Sequence, residues 1–291
     1  MRFEKWQALG NDYLIVESEQ LPFELTPGRA RLLCSGHFGI GADGVLLIAP
    51  PRERGTVADL RIFNPDGSEA QLSGNGAREA ILYLRRRGWT DADEFAITTV
   101  AGPIRPRITG PDTCTVDMGS ASLSSSDYPG GGPEGRGQTS SGGRTWEFRH
   151  VSIGNPQCAI RVDTVAQLEQ LDLDVLGPPI EADRQFPNRT NVSWYAPLSS
   201  APASPIRARI FERGVGETLA SGTGATGAAV AYVSDGGAGD QRPVQIIVAL
   251  DGGELEVIVG EGLHIDLSGW ARPVFAGATS EEFDKELNET K

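Results

Sequence analysis

The chain has 291 residues with 39% hydrophobic content, enough for one large or two ordinary domains, and no apolar run of membrane-spanning length. Its formal net charge of −13, from 39 acidic against 26 basic residues, disfavours nucleic acid or an anionic membrane as a partner. Three unclustered cysteines (Cys34, Cys114, Cys158) fit a reducing compartment and give no zinc spacing, and the charged start MRFEKWQALGND lacks an apolar signal core, so a cytoplasmic protein without metal is expected.

In chain order, the pattern predicts strands over 2–9 and 13–16 about a tight turn at Gly10-Asn11-Asp12, then a short helix over 26–34. The glycine turn Gly39-Ile40-Gly41-Ala42-Asp43-Gly44 feeds a strand over 45–48. A strand over 59–63, a turn at Pro65-Asp66-Gly67 and a helix over 77–87 follow, then a meander over 95–100, 104–108 and 114–118. Residues 119–143 are rich in Gly, Ser and Pro and read as a flexible loop or crossing, too polar for a core. The second half reads as strands over 145–151 and 157–162 about Gly154-Asn155-Pro156, a helix over 165–171, and strands over 190–195 and 207–211. A helix over 225–233 and strands over 244–250, 254–259 and 263–267 complete it. Residues 272–275 return as a last strand to the first half, and the acidic end from Ser280 is a short helix or frayed tail.

One stretch organises the rest. RIFNPDGSEAQLSGNGAREA (residues 61–80) is matched without a gap, 148 positions on, by RIFERGVGETLASGTGATGA (residues 209–228). In both, an apolar strand runs through a polar loop into a Ser-Gly-x-Gly turn and an Ala-rich helix. This predicts an α+β fold of two pseudo-symmetric lobes, each a sheet wrapped around a central helix, divided as 1–118 with 270–291 and 119–269. Two helix N-termini serving one cleft would offer two sets of N–H groups to a single anion.

Ser73 and Ser221 lead the two turns, and serine there is also a preferred N-cap residue. His37, His150 and His264 form no Ser-His-Asp pattern, and neither turn has the Gly-Lys-Ser/Thr ending of a phosphate loop. Asn11, Asn64, Asn155 and Asn191 fall at turns or strand ends, where asparagine ordinarily tolerates a left-handed backbone or caps. Together with Glu212-Arg213 they also suit a neutral hydrogen-bonding wall around a zwitterion, Arg213 forking onto a carboxylate; the plain alternative for Glu212-Arg213 is a surface ion pair.

These motifs resemble diaminopimelate epimerase and the cofactor-independent amino-acid epimerases and racemases. The resemblance runs almost end to end, through Gly10-Asn11-Asp12, the 39–44 turn, Phe63-Asn64-Pro65-Asp66-Gly67-Ser68-Glu69-Ala70, Gly74-Asn75-Gly76, Gly154-Asn155-Pro156, Asn191-Val192 and Glu212-Arg213-Gly214-Val215-Gly216-Glu217-Thr218. It implies a small amino-acid substrate, no pyridoxal phosphate or metal, and a homodimer. It places the α-carboxylate on the backbone N–H groups of Gly74, Asn75, Gly222 and Thr223, and the far end of the substrate on Asn64, Asn155, Asn191 and Arg213, with Asn11 in the same site.

The family's two catalytic cysteines fall on Ser73 and Ser221. A serine hydroxyl lies several pKa units above a thiol, and a helix dipole of about 1–2 kcal/mol shifts it by roughly one unit, so the two-thiol mechanism is not expected to operate. Gln157, Glu79 and Thr226 also depart from the family's usual His, Cys and Cys, as in a divergent paralogue. The expected function is an isomerase acting at the α-carbon of a diaminopimelate-like amino acid, with Ser73 and Ser221 relaying protons to Glu212 or Asp66. The alternatives are an amino-acid-binding protein without turnover and an epimerase inactivated by Cys-to-Ser exchange.

Overall fold

The computed structural model describes residues 1–71, 73–239 and 242–290. The chain divides into two compact units, Met1–Val116 with Gly269–Lys291, and Asp117–Ser268.

The first unit contains β1 (Arg2–Ala8), β2 (Asn11–Glu17), α1 (Pro27–Cys34), β3 (Val45–Ala49), β4 (Asp59–Phe63), β5 (Glu69–Ala70), α2 (Gly74–Arg86), β6 (Ile97–Thr99), β7 (Gly102–Ile104) and β8 (Pro106–Ile108). Strand β9 (Thr113–Ser120) carries the chain into the second unit. There follow β10 (Arg136–Ser141), β11 (Arg144–Ser152), β12 (Pro156–Arg161), α3 (Val165–Glu169), α4 (Leu173–Glu181), β13 (Asn191–Pro197), β14 (Ile206–Glu212), β15 (Gly216–Thr218), α5 (Gly222–Ser234), β16 (Val244–Leu250), β17 (Gly253–Val259) and β18 (His264–Trp270). The chain ends in the first unit with β19 (Arg272–Ala278) and α6 (Glu281–Glu289).

The two units repeat one topology. The first sheet runs β19-β1-β2-β3-β4-β6-β7 with β5 beside β4; the second runs β10-β11-β12-β13-β14-β16-β17-β18-β9-β8 with β15 beside β14. Within each, the pairing alternates alike: β2 with β3 and β12 with β13 are parallel, as are β4 with β6 and β14 with β16, and their neighbours are antiparallel. The register is kept too, since Phe63 pairs with Glu69 as Phe211 pairs with Glu217.

Helix α2 packs on β1, β2 and β3, and α5 packs on β11 to β14, β16 and β17. The opposite faces carry the larger side chains. Phe3, Leu14, Val45, Leu47 and Phe63 pack there with Leu33 of α1 and Leu287 of α6; Trp146, Ile160, Trp194 and Phe211 pack with Leu168 of α3 and Ile180 of α4. Central β3 is a continuous apolar run and β13 is buried along most of its length with Ser193 inside it, whereas β16 and β17 alternate inward and outward. Among the described residues, no helix is long and apolar enough to cross a membrane.

Three expectations need correction. Helices α2 and α5 start at Gly74 and Gly222, three residues before the predicted 77 and 225, because Ser73 and Ser221 cap them from just outside and the glycines lie within the first turn. The polar stretch 119–143 is not all loop. Arg136–Ser141 pairs with β11 across a turn in which Gly142 and Gly143 take left-handed φ values of 61° and 69°, and Tyr128 is buried against Phe148 and Phe186. Helix α4 was not foreseen: Pro178 and Pro179 lie inside it and mask its pattern, but Asp172 caps it and Leu173 and Ile180 anchor it in the core.

Candidate active site

Each unit carries its own serine turn, and the two are built alike. Ser73 has extended backbone (φ −129°) and its Oγ accepts the Gly76 N–H at 3.1 Å. Ser221 (φ −136°) accepts the Gly224 N–H at 3.3 Å. Both are N-caps, and Gly74, Asn75, Gly222 and Thr223 fill the first helical positions, whose N–H groups have no acceptor within the helix. The strand before each turn is braced alike: Arg61 Nε donates to Glu69 at 2.7 Å, and Arg209 Nε donates to Glu217 at 2.8 Å.

A turn asparagine meets each helix start. Gly10 and Gly154 hold left-handed φ values of 85° and 77° ahead of Asn11 and Asn155, a conformation that costs glycine nothing. In the first unit, Asn75 Nδ2 donates to Asn11 Oδ1 at 3.2 Å, and Asn11 Nδ2 donates to Asp43 at 2.8 Å. The buried Arg78 donates to Asn75 Oδ1 from behind, so both amides are held in one orientation. In the second unit, Asn155 Nδ2 donates to Thr223 Oγ1 at 3.3 Å and Gln157 donates to Asn155 Oδ1 at 2.7 Å.

The serines differ in their side-chain company. Tyr13, buried on β2, donates its Oη–H to Ser73 Oγ at 3.1 Å. Near Ser221, the Glu212 carboxylate accepts from Thr218 Oγ1 at 2.8 Å. Burial lifts the Glu212 carboxyl above its ordinary 4.5, and the hydroxyls of Thr218 and Ser221 pull it partly back. A carboxylate so placed is an ionisable neighbour of Ser221. Asp66 is a poorer base: its Oδ1 accepts from the Ser68 N–H at 2.8 Å and hydroxyl at 2.6 Å, bonds that hold it below the usual carboxylate range in an exposed turn.

The remaining expected residues are more scattered. Asn64 Nδ2 donates to Ser68 Oγ at 2.9 Å within its own turn. Asn191 is buried at the start of β13, where Nδ2 donates to the Pro156 carbonyl at 3.0 Å and Oδ1 accepts the Arg213 N–H at 2.9 Å. Arg213 is exposed and donates to the Asn188 carbonyl at 2.7 Å, while Glu212 turns to Thr218 and Ser221, so the surface ion pair between these neighbours is not formed. Glu181 was missed. Its buried carboxylate accepts the Gly214 N–H at 2.8 Å and pairs with Arg189 at 2.9 Å, fixing the turn that follows Arg213. Glu79 is wholly buried in α2, and burial pushes its carboxyl well above the ordinary range.

The diaminopimelate epimerase family profile matches residues 3–124 and 149–265. The diaminopimelate epimerase of Synechococcus sp. strain JA-3-3Ab is 39% identical over 289 residues, covering 97% of this chain and 99% of that protein. That of Pelotomaculum thermopropionicum is 39% identical over 286 residues, covering 95% and 98%. Among solved structures, a PhzF-family phenazine biosynthesis protein of Bacillus anthracis superposes with a TM-score of 0.70 at 19% identity, covering 96% of this chain and 99% of that one. A hydroxyproline epimerase of Agrobacterium vitis gives 0.65 at 14% identity, covering 95% and 91%. At such identities the structures establish the shared two-lobed α+β fold, and the near-complete sequence matches establish the rest: the chain belongs to the diaminopimelate epimerase family and, with it, to the isomerases.

Proposed function

We propose that this protein inverts the α-carbon of a diaminopimelate-like amino acid without pyridoxal phosphate or metal, using Ser73 and Ser221 where the family uses thiols, with Glu212 as the ionisable partner. The observation that carries the reading is the Glu212 carboxylate, raised by burial and held by Thr218, beside the serine that caps a helix start. A hydroxyl alone is too weak an acid to hold its ionised form near neutrality; coupled to a carboxylate raised by burial, it passes a proton on without accumulating an alkoxide. The first helical positions, Gly74 and Asn75 in one unit and Gly222 and Thr223 in the other, supply N–H groups for the α-carboxylate. Asn11 and Asn155 stand beside those positions, and Asn64, Asn191 and Arg213 are assigned to the far end of the substrate.

Incubation with LL-diaminopimelate in D₂O, followed by ¹H NMR of the α-proton, tests this. Loss of the signal with appearance of the meso isomer is expected. A protein that binds the amino acid and raises its melting temperature, yet exchanges no proton, is instead the binding paralogue. Activity appearing only after Ser73→Cys with Ser221→Cys identifies an inactivated epimerase.

A further inference from the structure

The two serine turns match in backbone but not in the polarity of their hydrogen bonds. Ser73 Oγ accepts twice, from the Gly76 N–H at 3.1 Å and from Tyr13 Oη–H at 3.1 Å. With two acceptor sites on a hydroxyl oxygen, both are taken, and the Ser73 proton is the part of the group left to point elsewhere. Ser221 Oγ accepts the Gly224 N–H at 3.3 Å and has the buried Glu212 carboxylate as a neighbour. Thus one serine is backed by a phenol that donates to it, and the other stands near a carboxylate.

The position of Tyr13 is fixed by packing. Its side chain is 5% exposed, and Gly44 opens the space the ring fills: a Cβ there would stand 2.5 Å from Tyr13 Cε1 and 2.6 Å from the Phe63 carbonyl oxygen. The phenol therefore reaches Ser73 from β2, 60 residues away in sequence. An ordinary phenol pKa of about 10 lies between a serine hydroxyl and the carboxylates, which suits a proton donor at neutral pH.

We infer that Tyr13 is a positioning residue that makes Ser73 a proton donor. This rests on the isomerase reading above. Once the α C–H bond has broken, the electron pair left on the α-carbon takes the Ser73 proton as Tyr13 Oη–H passes its own to Ser73 Oγ. Tyr13 is left as a phenolate, which recovers a proton from water. No redox step is involved.

The test compares the full-length protein with Tyr13→Phe, which removes one oxygen. Tyr13→Phe should lower kcat for LL-diaminopimelate by roughly 10²-fold or more, the span of general acid catalysis, with KM little changed. In a Ser73→Cys background the same change should leave kcat within experimental scatter, because a thiol at a helix start supplies its own proton. A purely structural Tyr13 would lower both backgrounds alike. Tyr13→Phe at wild-type kcat overturns the assignment while leaving the isomerase reading intact; a wild type that exchanges no α-proton removes both. If Tyr13→Phe does not fold, Ser73→Ala in protein carrying ¹³Cζ-tyrosine decides: the Tyr13 resonance must move, and an unmoved resonance overturns the pairing.

Discussion

At the scale of single residues, a serine in place of a catalytic thiol demands that something else hold the proton. Glu212 is the residue with the environment for it in the second unit, since burial raises its carboxyl and two hydroxyl donors keep it aligned. The sign of the pH effect follows. A base works only when ionised, and its pKa is raised, so activity should rise through a midpoint above 4.5 and be lost as pH falls through it. Glu212→Gln should lower the plateau of kcat/KM by about 10²–10⁴-fold, the usual worth of a general base; steady-state kinetics from pH 4 to 9 check both. Glu212 was legible in the sequence as a member of the Glu-Arg-Gly-Val-Gly-Glu-Thr run and, with Asp66, as a carboxylate for the serines; its burial, which separates it from the exposed Asp66, was not.

At the scale of elements, each half-site is a strand, a loop and a capped helix braced by one Arg–Glu pair. The central helices reach their sheets through small residues. In α5 the first turn and the face toward β12 are Gly, Ala and Thr, and Gly227 lies so close that a Cβ would stand 2.8 Å from Gln157 Cβ. Gly227→Ala should therefore destabilise the protein by about 1–3 kcal/mol despite the better helix propensity of alanine, because Gln157 is pinned by its bond to Asn155. A urea titration checks it, and an unchanged or raised midpoint would show that β12 yields more readily than packed strands do. The sequence marked this helix by its alanines but put its start one turn late, since glycines carry little helical signal until a cap is seen to hold them.

At the scale of the molecule, the two units each own a core and a copy of the same chain path, and the proposed function assigns substrate-binding groups to each. Diaminopimelate at about 100 times its Kd should then stabilise the folded protein by about 2.7 kcal/mol, read as a rise in melting temperature. Asn75→Ala in one unit and Thr223→Ala in the other should each reduce that rise. A ligand shift lost with one variant and untouched by the other would mean that one unit binds alone.

What the sequence by itself determined is what short-range chemistry dictates: the 148-residue repeat, the glycine turns at Gly10 and Gly154, and serines capping the helices they precede. These depend on backbone conformation and on hydrogen bonds within a few residues, so a linear pattern carries them. Only the tertiary structure decided which group stands behind each serine. Tyr13 reaches Ser73, and Asn11 reaches Asn75, because β2 packs against α2; Tyr128 is drawn into a core from a stretch too polar to suggest one. Such contacts are set by how a helix settles on its sheet, and a sequence read along one dimension does not contain that register.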